Sequence, residues 1–392
     1  MPSERLPQVL LLPELQLVKT TAPYRGPTYF FCEKTSKMEV CPKCAQPARG
    51  VYDRRWVSVR DSPIRDRQVV LKIRKRRFWC RPCQKPFTEP VPGIGKGKRF
   101  TQRYRKGLLW ACETYSSLKS VLNNFRCSAG FLYQNLYQEL ERRRRRRLYP
   151  WPKVIGIDEH YFRREHGFRQ FVSMVVDFKG RRLMELVKGR SIAEMTAALS
   201  YIPGRENVRY VATDLCDPYK SFVKQFFPNA TVVADKFHVL RLLNPAINRY
   251  RKEITGDKRS LPIRRLLLQN GHRLQRSLRF RLEYWLKQHP ILAEVYYAKE
   301  ALHRLYRTKG QRRVAHAYTH LTDTLARSAV PELKRLRKTL LAWRKQILAY
   351  FRNRLTNART EGFNNVAKVV KKRAFGYKSF ENYRLRLLNT CA

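Results

Sequence analysis

The spacing of apolar residues divides the chain into regions of different secondary structure. In residues 1 to 95, apolar and polar residues alternate over VYDRRWVSV and QVVLKIRKRRFW, which predicts two strands of a small antiparallel sheet. From about residue 101 to 147 the spacing is helical, and the segment YPWP ends the helical pattern. We therefore expect a change of architecture after Pro152.

The region after Pro152 combines strands with helices. Five short apolar runs predict strands: KVIGID, FRQFVSMVVDF, RRLMELVKG, VRYVATD and ATVVAD. Helices are predicted at SIAEMTAALSYI, which begins with a capping box, and at PYKSFVKQFF, with Asp217 as N-cap and Pro218 as first helical residue. The predicted order is βββαβαβ. Long basic amphipathic helices follow to about residue 355, and a last helix is predicted from about Asn357 to Arg373.

The charge of the chain indicates the class of its partner. The 392 residues include 83 Lys and Arg but only 30 Asp and Glu, a formal net charge of +53. Such an excess is best explained by a polyanionic partner, and nucleic acid is the leading candidate. A hydrophobic fraction of 43% is too high for a disordered basic tail, so we expect two or three folded domains. No apolar run approaches the length of a membrane helix, and MPSERLPQVLLLPELQ is unlike a secretory signal, so no membrane partner is expected.

Four of the nine cysteines form two CxxC pairs, Cys41 with Cys44 and Cys80 with Cys83, and 35 residues separate the pairs. Two such turns produce a closed tetrahedral site with four sulfur ligands, which suits structural Zn²⁺. Accidental pairs or a redox motif are the alternatives, but neither pair lies in a thioredoxin-like βαβ context. The other five cysteines are scattered singly, which favours a reducing compartment.

The helical region before Pro152 is predicted to contain three helices, the second beginning near Ser117. This arrangement is typical of a helix-turn-helix, whose third helix would present Tyr133 and Gln134 to base edges in the major groove. A three-helix packing unit fits the pattern equally well, and the neighbouring positive charge favours the DNA-binding interpretation. The run of six arginines that ends the region is interpreted as an arm that contacts DNA phosphates.

Acidic residues are scarce, so an acid at the end of an apolar strand is a candidate for chemistry. Asp158 ends the first strand after Pro152, Asp214 ends the fourth, and Glu361 lies near the start of the last helix. If the first strand is central and the fourth lies beside it, Asp158 and Asp214 meet at adjacent strand ends, and the last helix can bring Glu361 over both. Three such carboxylates are what two Mg²⁺ ions need to stabilise the attacking and leaving oxygens of a phosphoryl displacement.

Other residues fit parts of this pattern. Glu159 is an alternative to Asp158, and Asp235, which ends the fifth strand, is the main alternative to Asp214. An Asp after a strand is also a common helix N-cap, which is a structural alternative for each of them. For His238 we expect a packing or backbone-bonding role rather than a ligand role.

Several blocks of the chain resemble one known family. CPKC, RRWVSVRDSPI and RKRRFWCRPCQKPFTE are similar to the zinc ribbon of the ISL-three group of bacterial insertion-sequence transposases. VIGIDEH, VATDLCDPY, FFPNATVVADKFHV and TNARTEGFNNVAKVVKKRAFGYKSFENYRLRLL are similar to the catalytic domain of that group, in the same order. The resemblance implies a DDE transposase with a ribonuclease H-like core, in which Asp158, Asp214 and Glu361 bind Mg²⁺ or Mn²⁺. It also implies that residues 240 to 355 are an insertion that separates Glu361 from the core.

The expected fold is a multidomain combination of α+β and α/β parts. We predict a zinc ribbon over residues 1–95, a helix-turn-helix with an arginine-rich arm over 96–150 and the first part of a ribonuclease H-like mixed sheet over 151–240. An all-helical insertion is predicted over 241–355, and a C-terminal helix that completes the catalytic core over 356–392.

The expected function is a transposase that binds the terminal inverted repeats of an insertion sequence, cuts DNA there and transfers the freed strand to target DNA. An element-derived DNA-binding regulator without cleavage activity and a related metal-dependent nuclease are the alternatives. Double-stranded DNA is the expected partner, with a homo-oligomer assembled on it in the bacterial cytoplasm, at the nucleoid. The residues expected to contact DNA are Arg74, Arg76, Arg77, Lys119, Tyr133, Gln134, Arg142, Arg143, Arg144, Arg145, Arg146, Arg147, Asn364, Lys368 and Lys372.

Overall fold

The computed structural model describes residues 11–165, 168–256 and 262–392. The chain divides into two compact units, Met1–Arg142 and Arg143–Ala392. The finer division into five domains stays a prediction. No helix of the described ranges is long and apolar enough to cross a membrane.

The first unit contains a five-stranded sheet with the order β1-β2-β6-β5, and β7 pairs with β6. Its strands are β1 (Leu15–Thr21), β2 (Thr28–Lys34), β5 (Val51–Ile64), β6 (Arg67–Cys80) and β7 (Lys85–Thr88), and a separate short hairpin joins β3 (Glu39–Val40) to β4 (Pro47–Ala48). The alternating segments form the antiparallel pair β5 and β6, as predicted. Val59, Leu71 and Ile73 from this pair are fully buried, because alternate side chains of each strand face the core.

Three helices complete this region of the chain: α1 (Gln102–Thr114), α2 (Leu118–Phe125) and α3 (Ala129–Arg146). Ser117 caps α2 by accepting a hydrogen bond from the backbone N–H of Ser120, so the predicted start of the second helix is confirmed. The three-helix pattern is therefore present. Five of the six arginines in the basic run, Arg142 to Arg146, extend α3.

The second unit contains a mixed sheet with the order β10-β9-β8-β11-β12. Its strands are β8 (Val154–Glu165), β9 (Phe168–Asp177), β10 (Arg182–Lys188), β11 (Tyr210–Thr213) and β12 (Thr231–Ala234). The first three strands are antiparallel neighbours, whereas β8, β11 and β12 run parallel. The predicted strand and helix order and the central position of the first strand are confirmed.

Two helices lie between the strands of this sheet, α4 (Ile192–Leu199) and α5 (Asp217–Phe226). The predicted capping box of α4 is present between Ser191 and Glu194. The expected cap of α5 was wrong: Asp217 is its first helical residue, and the N-cap position is occupied by Cys216. Asp217 thus places its charge in the first turn, where the helix dipole favours an acid.

Helices make up most of the remaining chain. They are α6 (Lys236–Leu240), α7 (Asn244–Thr255), α8 (Pro262–Leu268), α9 (Arg276–Lys287), α10 (Pro290–Arg307), α11 (Gln311–Ala326), α12 (Pro331–Ala342), α13 (Arg344–Asn353), α14 (Ala358–Arg373) and α15 (Phe380–Thr390). The predicted last helix corresponds to α14. A further helix, α15, follows it and packs on β10, where Tyr383 and Leu387 are fully buried.

Candidate active site and metal centres

The register of three parallel strands brings three aspartates to the same edge of the sheet. Thr213 of β11 is aligned with Ile157 of β8 on one side and with Ala234 of β12 on the other. The residues that follow these three are Asp158, Asp214 and Asp235. Asp158 and Asp214 therefore lie side by side, as the sequence predicts, and Asp235 lies one strand further out. The prediction that Asp158 ends its strand was wrong, because β8 continues to Glu165 through its antiparallel pairing with β9.

Asp158 is a buried carboxylate with a fixed orientation. One oxygen, Oδ1, accepts a hydrogen bond of 2.8 Å from the backbone N–H of Glu159, and Oδ2 accepts one of 2.8 Å from the side-chain amide of Asn364. Burial and the neighbouring charge of Asp214 raise the pKa of Asp158 to about 7. The two carboxylates are thus held together closely enough to repel each other.

His238 joins the other two aspartates. Its Nδ1 lies 2.8 Å from Oδ1 of Asp214 and 3.1 Å from Oδ2 of Asp235. Hydrogen bonds to these two carboxylates raise the pKa of His238 to about 10, so the imidazole is protonated at neutral pH. A packing or backbone-bonding role was expected for this histidine, and that expectation was wrong because its ring binds two acids.

Asp235 accepts hydrogen bonds from two separate segments of the chain beside His238. Its Oδ2 accepts hydrogen bonds from the backbone N–H groups of Phe237 and His238 at the start of α6, and its Oδ1 accepts one of 2.8 Å from the backbone N–H of Asn357. Asp235 therefore caps α6 and connects it to the segment that precedes α14. Asn357 in turn donates from its side-chain amide to the carbonyl oxygen of Ile157 at 3.4 Å.

Helix α14 passes the cluster, and Asn364 from its second turn reaches Asp158. Glu361 lies in the first turn and is exposed. Among the described residues, the acid and histidine cluster whose ligand atoms lie within 4.8 Å of one another consists of Asp214, Asp235 and His238, and neither Asp158 nor Glu361 belongs to it. Sequence reasoning did not assign Asn357 or Asn364 to the carboxylates, although the amide-rich segment TNARTEGFNN contains both.

The four cysteines of the CxxC pairs meet in the first unit, with ligand atoms within 4.8 Å of one another. Two sulfur pairs, Cys41 with Cys83 and Cys44 with Cys80, are separated by 4.0 and 3.4 Å. A tetrahedron with Zn–S bonds of about 2.3 Å has S–S edges of roughly 3.8 Å, so the cluster has the size of a zinc site. Backbone N–H groups of Lys43 and Cys44 lower the pKa of Cys41 to about 6, which favours the thiolate that binds metal.

The basic residues of the ribbon have acidic partners. Arg76 binds Glu89, a fully buried carboxylate, at 2.8 Å and also donates to the carbonyl oxygen of Ser36. Arg77 pairs with Asp53 at 2.8 Å, and Arg74 pairs with Glu33 at 3.1 Å near the surface. Arg76 therefore has a structural role, whether or not the ribbon contacts DNA.

Some of the other predicted DNA contacts already bind protein side chains. Within the arginine run, Arg142 pairs with Glu139, and Arg144 lies 2.8 Å from the buried carboxylate of Glu185. Asn364 is engaged by Asp158. Arg143 is half-buried, and Lys368 donates to Oδ1 of Asn365 at 3.3 Å. The exposed positions of this group are Lys119, Tyr133, Gln134, Arg142, Arg145, Arg146, Arg147, Lys368 and Lys372.

Three features point to a zinc-ribbon DNA-processing protein. They are a mixed sheet with neighbouring aspartates on its parallel strands, a helical region between these strands and the final helices, and a ribbon with four clustered cysteines. A family model described as Transposase, for the ISL3 type, matches residues 155–387, and the zinc-finger of transposase IS204/IS1001/IS1096/IS1165 matches residues 37–83. The chain therefore belongs to the ISL3 family of transposases, which confirms the resemblance seen in the sequence.

Curated relatives support the same family over nearly the whole chain. The transposase for insertion sequence element IS1001 of Bordetella parapertussis is 28% identical over 370 residues, which cover 91% of this chain and 90% of that protein. The transposase for insertion sequence element IS1557 of Mycobacterium tuberculosis, in strains CDC 1551 / Oshkosh and ATCC 25618 / H37Rv, is 22% identical over 384 residues, 88% of this chain and 84% of that protein. The protein is thus a DNA transposase with a zinc ribbon.

Proposed function

We propose that this transposase cuts DNA at the ends of its own insertion sequence and joins the freed 3′ end to target DNA, with Asp158, Asp214 and Glu361 as ligands of catalytic Mg²⁺ or Mn²⁺. The alignment of β8 with β11, which sets Asp158 beside Asp214, is the observation that carries the proposal. The strand order, with three antiparallel strands and two further parallel ones, supports a ribonuclease H-like core.

The donor set suits a hard divalent cation. Asp158 and Asp214 offer carboxylate oxygens, which Mg²⁺ and Mn²⁺ prefer, and burial makes their mutual repulsion costly unless a cation or proton lies between them. When bound, divalent ions would activate the attacking oxygen and stabilise charge on the leaving oxygen. Asn364 fixes the orientation of the Asp158 carboxylate, and His238 does the same for Asp214. Asp235 holds His238 and the start of α14 in place.

Glu361 would complete the ligand set from α14. It precedes Asn364 by three residues, so the two side chains share one face of the helix. Asn364 already contacts Asp158, which supports an approach of the same helix face to the carboxylates. Lys368 and Lys372 continue this face and would contact the DNA backbone beside the site.

DNA recognition is proposed for the first unit. Zinc held by the four cysteines would stabilise the ribbon, and α3 would act as the recognition helix of a helix-turn-helix with Tyr133 and Gln134 exposed on it. Lys119 and the exposed arginines at the end of α3 would contact phosphates. Two element ends have to be processed together, so the working form is proposed to be a homo-oligomer on DNA.

The test is strand cleavage of labelled duplexes that carry the element ends, with and without Mg²⁺. Asp158→Ala, Asp214→Ala and Glu361→Ala should each slow metal-dependent cleavage by at least about 100-fold, because each removes a group that stabilises transition-state charge. End binding should change little. Asp217→Ala is the matched control, since Asp217 is an exposed acid in the same unit whose side chain is 77% accessible.

Two results would contradict the assignment. If the three alanine variants cut DNA at the rate of the unmodified protein, Asp158, Asp214 and Glu361 would not form the active site. If Asp235→Ala folded normally but cut no DNA while Asp214→Ala still cut, the second ligand would be Asp235 rather than Asp214.

A further inference from the structure

A basic pocket of about 340 Å³ lies next to the acid cluster. One wall comes from Lys236, Phe237 and Arg241 around α6, which directly follows Asp235. The opposite wall comes from the helical region, through the segment 270–273 and α10. The helical region thus contributes to a cavity beside the candidate catalytic residues.

The lining of the pocket favours an anion. Four cationic side chains line it, Lys236, Arg241, Arg273 and Arg307, and no carboxylate is among the described residues that line it. A nearby acid, Glu300, already binds Lys299 at 2.8 Å and the backbone N–H of Gly271 at 3.0 Å. The cations are therefore left to attract a negatively charged ligand.

Tyr306 also lines the pocket, but its hydroxyl oxygen is buried. Its side chain is only 3% exposed and packs against the rings of Tyr350 and Phe351, with centroid distances of 5.1 and 5.2 Å. Its hydroxyl has no hydrogen-bond partner within the described part of the chain. Because the hydroxyl oxygen is inaccessible from the pocket, Tyr306 contributes packing to the pocket wall.

The pocket also contains a partly exposed aromatic ring. Phe237 is 36% exposed, and the guanidinium carbon of Arg241 lies 5.9 Å from its ring centre. An aromatic face combined with arginines is the combination that binds single-stranded nucleic acid, since every base offers a planar face and every phosphate a charge. A volume of about 340 Å³ can hold a ligand as large as one nucleotide. It is too small for a DNA duplex, since the major groove of a duplex is by itself about 12 Å wide.

We propose that this pocket binds one unpaired nucleotide of the DNA strand beside the cleaved bond. Arg241 and Arg307 would hold its phosphate, and Phe237 would contact its base. The inference rests on the proposed function, because it assigns a place to the strand that is cut. It also assigns a direct role in substrate binding to the helical region.

The test compares two probes in EDTA, where no cleavage occurs. One is a blunt duplex that carries an element end, and the other is the same duplex with a single-stranded 3′ extension of three thymidines. We expect the unmodified protein to bind the extended duplex about tenfold more tightly, since base stacking on an aromatic contributes about 1–3 kcal/mol. Phe237→Ala and Arg241→Ala should each reduce this ratio to below about two.

Two surface variants of the same region serve as matched controls. Phe280 is a 71% exposed phenylalanine and Arg335 an exposed arginine, and neither lines the pocket. Phe280→Ala and Arg335→Ala should keep the tenfold ratio. Phe237 and Arg241 are themselves at the surface, so their replacement should leave the fold intact, which circular dichroism would verify.

Several outcomes overturn the proposal. An unchanged ratio in both pocket variants would show that the pocket does not select an unpaired nucleotide. Equal weakening on both probes would identify a contact to the duplex backbone instead. This affinity ratio is measured without cleavage, so the two proposals can fail separately. If the protein cuts DNA normally but binds both probes equally, only the pocket proposal is refuted. If it prefers the extended duplex but cuts no DNA, only the proposed catalytic function is refuted.

Discussion

Replacement of Arg384 by Met should destabilise the second unit strongly. Arg384 extends from α15 to Glu185 on β10, a carboxylate that is fully buried, and makes two hydrogen bonds of 2.6 Å to its two oxygens. Arg144 at the end of α3 and the hydroxyl of Tyr201 bind the same carboxylate. The variant would leave a buried charge with fewer partners.

The expected magnitude follows from this geometry. Loss of one partner of a buried ion pair costs about 3–5 kcal/mol, and the lower end applies because Arg144 and Tyr201 still bind Glu185. For a unit the size of Arg143–Ala392, about 3 kcal/mol corresponds to a fall in the melting temperature of roughly 6–12 °C. Arg352→Met, which replaces an exposed arginine of α13, is the control and should change stability by no more than about 0.5 kcal/mol.

The difference in stability between the unmodified protein and Arg384→Met should also depend on pH. Burial would raise the pKa of Glu185, but the hydrogen bonds and charge of Arg384 outweigh it and hold the pKa below the ordinary value. A lowered carboxyl pKa stabilises the fold above the unfolded-state pKa of about 4.3, and this contribution is lost as the pH falls through the folded-state pKa. The difference in the free energy of unfolding between the unmodified protein and Arg384→Met should therefore have its full size at pH 7 and become smaller below about pH 4.

Thermal unfolding followed by circular dichroism at pH 7 is the assay, with Glu185→Gln as a second variant. Neutralising Glu185 in the Arg384→Met background should recover part of the loss, because the unpaired buried charge is removed. A melting temperature for Arg384→Met equal to that of the Arg352→Met control would refute the reasoning. The reasoning would also be refuted if the double variant lost as much stability as the Arg384→Met and Glu185→Gln variants lose together.

Three further predictions concern the metal centre, the sheet and the arginine run. Cys80→Ser should abolish binding of one tightly held zinc, measured by metal analysis of the reduced protein, and should unfold the ribbon locally; a full zinc content would contradict it. Gly156→Ala should lower the free energy of unfolding by about 1–3 kcal/mol, measured as a lower urea midpoint, since a Cβ there would lie 2.5 Å from Cε1 of Phe178, 2.6 Å from Oγ1 of Thr360 and 2.7 Å from Oδ1 of Asn357; an unchanged midpoint would be inconsistent with the packing described. Replacing Arg146 and Arg147 by Gln should reduce the slope of log affinity against log salt by about 1.8 and weaken all DNA sequences alike; loss of preference for the element ends alone would mean that these residues read bases.

Local patterns in the sequence were sufficient for much of the architecture. Each CxxC pair fixes two sulfurs on one turn, so the four-cysteine cluster needed only that the two turns meet. The alternation along β5 and β6 and the acids that follow the apolar runs of β8 and β11 are likewise properties of short segments. The placement of Asp158 beside Asp214 could be predicted because strand order and register alone determine it.

Side-chain partners distant in sequence were decided by the tertiary structure. Asn364 contacts Asp158 across 206 residues, and Arg384 contacts Glu185 across 199. No local pattern shows such a partner, so Asn364 was assigned to DNA and Arg144 to a phosphate-binding arm. His238 bridges two acids only because parallel strands end at one level of the sheet and Asp235 begins a helix there. The sequence by itself determined most elements of the mixed sheet, the two CxxC pairs and the acids that follow its apolar runs, because these depend on neighbouring residues. Only the packing of α14, α15 and the helical region onto the sheet decided which polar groups are buried together, because a buried charge is stabilised by whichever partner the fold brings to it.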